Sequence, residues 1–470
     1  MKNSPFHFLL VFLFLANFYA ESSESSASAV SPDALKNEAV KLGDIYAAMN
    51  WFNGSIEIRK NDVTILSRSW GFADRENKVK NTRDTLYNLG SIMKHFTAAL
   101  VLLEIQNNRL KIDDRLIKFD LGFSKDIAEK VTIGHLLFHQ SGFPDIFVAK
   151  YRENQLAYDT LAKRLTILLD TELLFEPGSE RRYSNYGYVV LAAVLEKVTG
   201  KPFDELLKTN ILSPLKLKQS FYPYPEGHSK LSKRYTFSYE GEQKFVGKTE
   251  HHGPDGGLEA TISDVLNFYS ALFFTDKILN RSNSINEKYF KFSSNKFGAF
   301  GGGAGVSTAV EIDLVNGYQI AVLSNSDYLV AERITGKLMQ YLEEGIYEKP
   351  RLPPHVYAFK KYKELGKSKF KDQFKNQYQS DGYRQFIGRT LNELAISLAK
   401  EREWGDAINI IETLDTYFPK NHQVLDSMAY IYFLKGDNQK AKKIFKQALI
   451  YKPGFKSSYN HSGYGVYKAN

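Results

Sequence analysis

Gly90-Ser91-Ile92-Met93-Lys94, followed by the apolar run Thr97 to Ile105, is the stretch on which the reading of this chain turns. The run is helical in character. A helix starting near Ser91 puts Ser91 and Lys94, three residues apart, on one face. A serine hydroxyl is a weak nucleophile until a neighbouring base takes its proton. A lysine removed from water can be neutral near pH 7 and act as that base, or assist another. The helix start adds partial positive charge and free N–H groups, so the Ser91 N–H is placed to donate to an oxyanion. Serine and lysine at this spacing recur by chance in a chain of 470 residues. Order and context along the chain decide what the pair means.

Two further stretches supply that context. Tyr183-Ser184-Asn185 follows the turn Phe175-Glu176-Pro177-Gly178 and precedes the helical Val189 to Val198. A tyrosine beside a lysine ionises more readily and can serve as general base. Asn185 offers an amide to orient Lys94 and hold a substrate carbonyl. The bland alternative is a helix start with Ser184 or Asn185 as cap and Tyr183 as packing. Gly301-Gly302-Gly303-Ala304-Gly305 leads into a strand at Val306. Glycines there let a backbone approach a ligand closely. An N–H from this edge would complete an oxyanion hole, each donor typically contributing about 3 kcal/mol. The alternative is a plain flexible loop.

Working outward, Ser55 to Ile58 and Thr64 to Trp70 read as strands around the turn Lys60-Asn61-Asp62. Leu191 to Val198 reads as helix, stopped by Gly200 and Pro202. Val306 to Asp313 and Tyr318 to Leu323 read as strands joined by Asn316-Gly317, a hairpin signal, and Ile334 to Tyr347 as helix. Strands first, helices in the middle, strands and a helix last imply an α/β (α+β) fold over residues 31–347, an antiparallel sheet flanked by helices plus a helical domain.

Residues 348–387 form a basic connector. Lys349-Pro350 and Pro353-Pro354 break structure before the helix-permissive Val356 to Tyr378. Residues 388–457 repeat at a period of 34: Leu391 with Leu425, Ala395 with Ala429, Ala407 with Ala441, Pro419 with Pro453. Small residues sit where paired helices approach, and proline ends the second helix. The pattern resembles tetratricopeptide repeats, an all-α tail. Two repeats are fewer than the three or so such arrays need. The pair is therefore expected to lean on the connector helices or on the larger domain, and it offers a surface to a protein partner.

The composition, 43% hydrophobic and 24% charged, is globular. The absence of cysteine excludes disulfides, thiolate metal sites, a cysteine nucleophile and lipid anchoring on cysteine. Lys2, the apolar Phe6 to Phe18 and small residues at Ala20 or Ala27-Ser28-Ala29 read as a signal peptide over 1–20, cut between 20 and 29. Glu21 to Ser28 reads as flexible. The expected location is exported, periplasmic or secreted. No other apolar stretch reaches the roughly 18 residues of a membrane span. The net charge of +9 is uneven: residues 349–470 carry 22 Lys and Arg against 11 Asp and Glu. No nucleic-acid motif is present. His251-His252 has no metal-type spacing and reads as surface. Neither a metal nor a cofactor is expected.

Residues 46–347 resemble the serine β-lactamase and penicillin-binding-protein superfamily, in particular its class C-like branch of β-lactamase-related esterases and peptidases. The resemblance rests on Phe72-Ala73-Asp74-Arg75, Asn88-Leu89-Gly90 before Ser91, Ile133-Gly134-His135-Leu136-Leu137-Phe138-His139-Gln140-Ser141-Gly142, Pro177-Gly178 with Tyr183-Ser184-Asn185-Tyr186-Gly187-Tyr188, and Gly256-Gly257-Leu258 with Ser263-Asp264. It implies Ser91 as acylated nucleophile, Lys94 as proton acceptor and Tyr183 as base. Asn185 and the Gly301, Gly302, Gly303 edge would hold substrate, with the Ser91 and Gly303 N–H groups as oxyanion hole. The implied activity is hydrolysis of an ester, amide or peptide bond through an acyl-enzyme, on a small-molecule or peptidoglycan-like peptide substrate. One position departs. The family's third motif starts with Lys or His, and here that position is Phe300. Phenylalanine cannot attract a substrate carboxylate, which weakens the β-lactamase and D-Ala carboxypeptidase readings. The rival expectation is a weak or inactive module that keeps the fold and binds peptidoglycan or protein.

Overall fold

The turn read at Lys60-Asn61-Asp62 joins β1 (Gly54–Lys60) to β2 (Val63–Trp70), with Asn61 and Asp62 in the left-handed region at φ 49° and 62°. The computed structural model describes residues 30–247, 250–457 and 459. The signal-peptide and flexible-segment readings lie outside them. Three later strands, β3 (Lys296–Gly303), β4 (Val306–Asp313) and β5 (Tyr318–Ser324), complete one antiparallel sheet in the order β3-β4-β5-β1-β2. Strand β3 corrects the sequence reading, which began the hairpin only at Val306. Glycines at 298 and 301–303 suppress strand propensity. The ladder to β4 orders them instead, from Lys296 opposite Asp313 to Gly303 opposite Val306.

Six helices of this part matter to the site: α1 (Pro32–Ala48), α2 (Met93–Gln106), α3 (Leu161–Leu165), α4 (Tyr186–Thr199), α5 (Ile262–Phe274) and α6 (Val330–Glu344). Side chains alternate across a strand, and β4 shows what each face meets. Ser307 and Glu311 bond to Glu332 and Thr335 of α6. Thr308 faces the other way and donates to Leu89 O at 3.0 Å, just before Ser91. Helix α4 is buried at every position from Tyr186 to Leu195, and Gly200 ends it at φ 68°. A helix apolar all round belongs in an interior. It packs with α2, α5 and the sheet in one continuous core. The fold is thus mixed α/β, an antiparallel sheet flanked by helices, with a helical C-terminal region.

The chain divides into two compact units, Met1–Phe237 with Gln243–Pro350, and Ser238–Glu242 with Arg351–Asn470. The second is built from α7 (Pro354–Ser380), interrupted at Gly366 (φ 70°, ψ 166°), and four helices of 14 residues. These are α8 (Ile387–Lys400), α9 (Trp404–Tyr417), α10 (His422–Lys435) and α11 (Asn438–Tyr451). Ala395, Ala407, Ala429 and Ala441 are fully buried, as close helix approach requires. Phe370, Phe374 and Tyr378 of α7 join the same core, and the Tyr378 hydroxyl lies 2.8 Å from Thr390 Oγ1. The connector helix therefore supplies apolar surface to the helix pairs. Among the described residues no helix is long and apolar enough to cross a membrane.

Candidate active site

The backbone before Ser91 is pinned on both sides. The Leu89 N–H donates to Leu258 O at 2.9 Å, and the Gly90 N–H to Asn88 Oδ1 at 2.9 Å. Gly90 adopts φ 51°, and a Cβ there would stand 2.8 Å from the nitrogen of Gly302. A Cβ on Gly301 would meet Leu89 O at 2.1 Å. Both positions require glycine, because the edge strand β3 runs directly against the serine turn. Gly90–Ile92 makes one 3₁₀ turn, and α2 starts at Met93. Ser91 and Lys94 accordingly share a face, and Lys94 is buried, 4% exposed.

Lys94 Nζ has three oxygen neighbours: Ser91 Oγ at 3.2 Å, Asn185 Oδ1 at 2.6 Å and Asp255 O at 2.5 Å. An ammonium has three protons to donate, so the charged form is fully matched. The Ser91 Oγ also lies 2.8 Å from the Tyr183 hydroxyl. Ser91, Lys94, Tyr183 and Asn185 thus converge from two segments about ninety residues apart. Asn185 does occupy the N-cap position of α4, but its side chain makes no capping bond. Its Nδ2 donates instead to both oxygens of Asp145, at 3.1 and 3.0 Å, which turns Oδ1 toward Lys94. Burial pushes the Asp145 carboxyl up, against the Asn185 bond and the Lys94 charge, which pull it down.

The Tyr183 ring lies 5.0 Å from Lys94 Nζ and stacks on His139, with centroids 4.6 Å apart. Burial, reinforced by the Lys94 charge, holds the His139 imidazole down to about 3. His139 is therefore neutral at ordinary pH and supports the tyrosine ring without adding a second cation. Its Nδ1 accepts the Ser184 N–H at 3.3 Å.

Motif reasoning missed Asp145, Asp255 and Arg164. The reading of His251-His252 as surface is corrected at His252. Its side chain is 8% exposed, with Nε2 at 3.3 Å from Glu259 Oε1, and Glu259 also accepts from Asn88 at 2.9 Å. His252 thus sits behind the residue that fixes Gly90. Along β3, Gly301 and Gly302 touch the serine turn, Gly303 closes the hairpin opposite Val306, and Phe300 stands 43% exposed. Among the described residues no group of three or more His, Cys, Asp or Glu side chains is placed to hold a metal ion.

A serine at the mouth of a buried helix, with a lysine one turn on and a tyrosine from a second helix start, is the layout of the S-x-x-K serine hydrolases. The chain belongs to the Beta-lactamase family, whose profile matches residues 52–340. It is similar to penicillin-binding protein 4* of Bacillus subtilis, 27% identical in an alignment of 248 positions that covers 49% of this chain and 54% of that one. It is also similar to teichoic acid D-alanine hydrolase of Staphylococcus aureus, 29% identical over 207 residues, 44% of this chain and 50% of that one. The chain spans about half the length of these curated relatives. Among solved structures, the D-amino acid amidase from Ochrobactrum anthropi SV3 superposes with a TM-score of 0.58 at 21% identity, over 66% of this chain and 99% of that one. EstCE1, a hydrolase with promiscuous acyltransferase activity, gives 0.56 at 19%, over 68% and 100%. These two likenesses concern the fold.

Proposed function

We propose that this chain hydrolyses an ester or amide bond of a small acyl substrate through an acyl-enzyme on Ser91. The observation that carries the reading is the Ser91 hydroxyl held between Tyr183 at 2.8 Å and Lys94 at 3.2 Å. Ser91 Oγ attacks the carbonyl carbon, and its proton passes to the Tyr183–Lys94 pair. The Ser91 N–H and an N–H of the Gly301–Gly303 edge receive the developing oxyanion. The same pair returns the proton to the leaving alcohol or amine. Water then repeats the sequence in reverse roles, releasing the acid and free Ser91. The name of one relative, a teichoic acid D-alanine hydrolase, points to the same bond class.

Phe300 shapes the substrate. Phe300 occupies the position where the resemblance implies a cation for a substrate carboxylate, and its side chain is exposed, so the site favours acyl or leaving groups that are neutral or apolar there. The chain is an exported protein in this reading, and residues 388–457 are tetratricopeptide-like repeats that support it or bind a protein partner. The test compares a chromogenic ester with a neutral acyl group and a matched substrate bearing a carboxylate. The wild type should turn over the neutral ester faster. Lys94→Ala should lose at least about 100-fold in kcat/KM, the usual worth of a positioned base. A wild type that turns over neither ester nor amide would reject the proposal and favour a fold-retaining binding module.

A further inference from the structure

One of the three acceptors of Lys94 is a backbone carbonyl on the loop His251–Asp255, and what holds that loop lies outside every motif. Its α2 side is fixed by two bonds: Lys94 Nζ to Asp255 O at 2.5 Å and Thr97 Oγ1 to Pro254 O at 2.6 Å. Its other side wraps the guanidinium of Arg164 on α3, which is only 3% exposed. Nη1 lies 3.4 Å from Asp255 Oδ1, Nε donates to Tyr158 O at 3.3 Å, and Nη2 donates to His251 O. A Cβ on Gly253 would stand 2.3 Å from Nη1, so the loop has closed on the guanidinium without spare room. One rigid fork thus ties both ends of the loop, at His251 and Asp255, to α3. A lysine ammonium has no such planar reach.

We propose that Arg164 is a positioning residue for Lys94. It touches no reacting atom. It holds the Asp255 carbonyl where it accepts from Nζ, and this carbonyl keeps the lysine between Ser91 and Asn185. The inference rests on the acyl-transfer reading of Lys94. A carbonyl acceptor favours the charged amine, so a retracted loop should make Lys94 easier to deprotonate. The other charged or titratable groups facing Lys94 are Asp145, Asp255, His95, His139, Tyr183 and Tyr188. Removing Arg164 alone would leave Asp255 as an unpaired buried carboxylate, which is strongly destabilising. The decisive variant is therefore the double Arg164→Met/Asp255→Asn, which removes both charges.

Two readouts apply to the full chain. The first is the pH dependence of Lys94 acetylation by trace acetic anhydride, followed by peptide mass spectrometry. It needs no catalysis. The second is neutral-ester turnover. Relative to Asp255→Asn, which carries the loss of the carboxylate charge alone, the Lys94 profile of the double variant should move to lower pH by half a unit or more, against the direction in which loss of the Arg164 cation by itself would move it. Its kcat/KM should fall about 10- to 100-fold, the size of loss that a displaced catalytic group produces. Arg164→Lys, retaining the charge but not the fork, should fall between. A double variant whose Lys94 profile matches that of Asp255→Asn, or lies above it, would overturn the inference, even with a lowered Tm, since that is what a merely structural arginine predicts. A wild type without turnover would reject the acyl-transfer reading, while the Lys94 profile would still decide whether Arg164 positions the amine.

Discussion

In the proposed mechanism Ser91 can pass its proton to either of two neighbours, Tyr183 or Lys94, and the groups around them set the choice. Lys94 is matched as an ammonium by three oxygens, and Tyr183 is the nearer partner of Ser91 at 2.8 Å. Anything that turns an acceptor away from Lys94 alters how the pair shares a proton. Asp145 governs one of them. The two ends of the Asn185 amide are nearly the same shape, and only its hydrogen bonds decide which faces Lys94. With Asp145 gone, an NH₂ group could turn toward the ammonium. Asp145→Leu should therefore lower kcat for the neutral ester about 10- to 100-fold with KM nearly unchanged, since the lost interaction concerns the reacting groups rather than substrate binding. Steady-state kinetics check this, and an unchanged kcat would contradict it. Ser91, Lys94, Tyr183 and Asn185 were legible as candidates because each sits in a short segment whose local chemistry suggests its use. Asp145 lies 40 residues from Asn185, and Arg164 lies 91 from Asp255. Their partnerships exist only after folding, and no spacing announces them.

In the proposed mechanism strand β3 lends backbone donors beside the serine turn, and two features secure its close approach. One is the absence of side chains at Gly90 and Gly301. The other is Asp327, 2% exposed, which accepts the Phe237 N–H at 2.9 Å and the Gly305 N–H at 3.1 Å. It therefore pins the turn between β3 and β4. Burial pushes the Asp327 carboxyl up to about 6, despite the backbone bonds that pull it down. The native state thus holds this proton more tightly than the unfolded chain does. The stability tied to it is complete below pH 4 and falls as pH rises from about 4 to about 6. At about 1.4 kcal/mol per unit, the fall is roughly 2–3 kcal/mol. Asp327→Asn should flatten that part of the profile in urea unfolding at pH 4.5 and pH 6.5, and equal slopes in both proteins would contradict the assignment. The hairpin at Asn316-Gly317 and the flanking β1, β4 and β5 were readable from alternation and turn chemistry. Strand β3 was not, because its glycines carry no strand signal of their own. Its conformation is imposed by β4 and by the serine turn.

The order of segments along the whole chain carried most of the architecture: strands, helices, strands and helix, then the helical tail. Pairing of the first strand with the last brings residues 54–60 beside residues 318–324, and the strand order leaves β3 at one edge, against the serine turn. The 34-residue period in the tail was visible because each helix pair repeats the same small and apolar positions. The apolar contribution of α7 to that unit was harder to see through its lysines. In the proposed reading Phe300 separates this site from a carboxylate-binding one, and it lies exposed on the edge strand β3. The central claim is that the substrate's acyl group resides on Ser91 during turnover. It is tested most directly by quenching the full-length protein during reaction with an activated neutral ester, then measuring intact mass and mapping peptides. The wild type should carry one acyl group on the peptide containing Ser91, and Ser91→Ala should carry none. An adduct on another residue, or equal labelling of Ser91→Ala, would contradict the account.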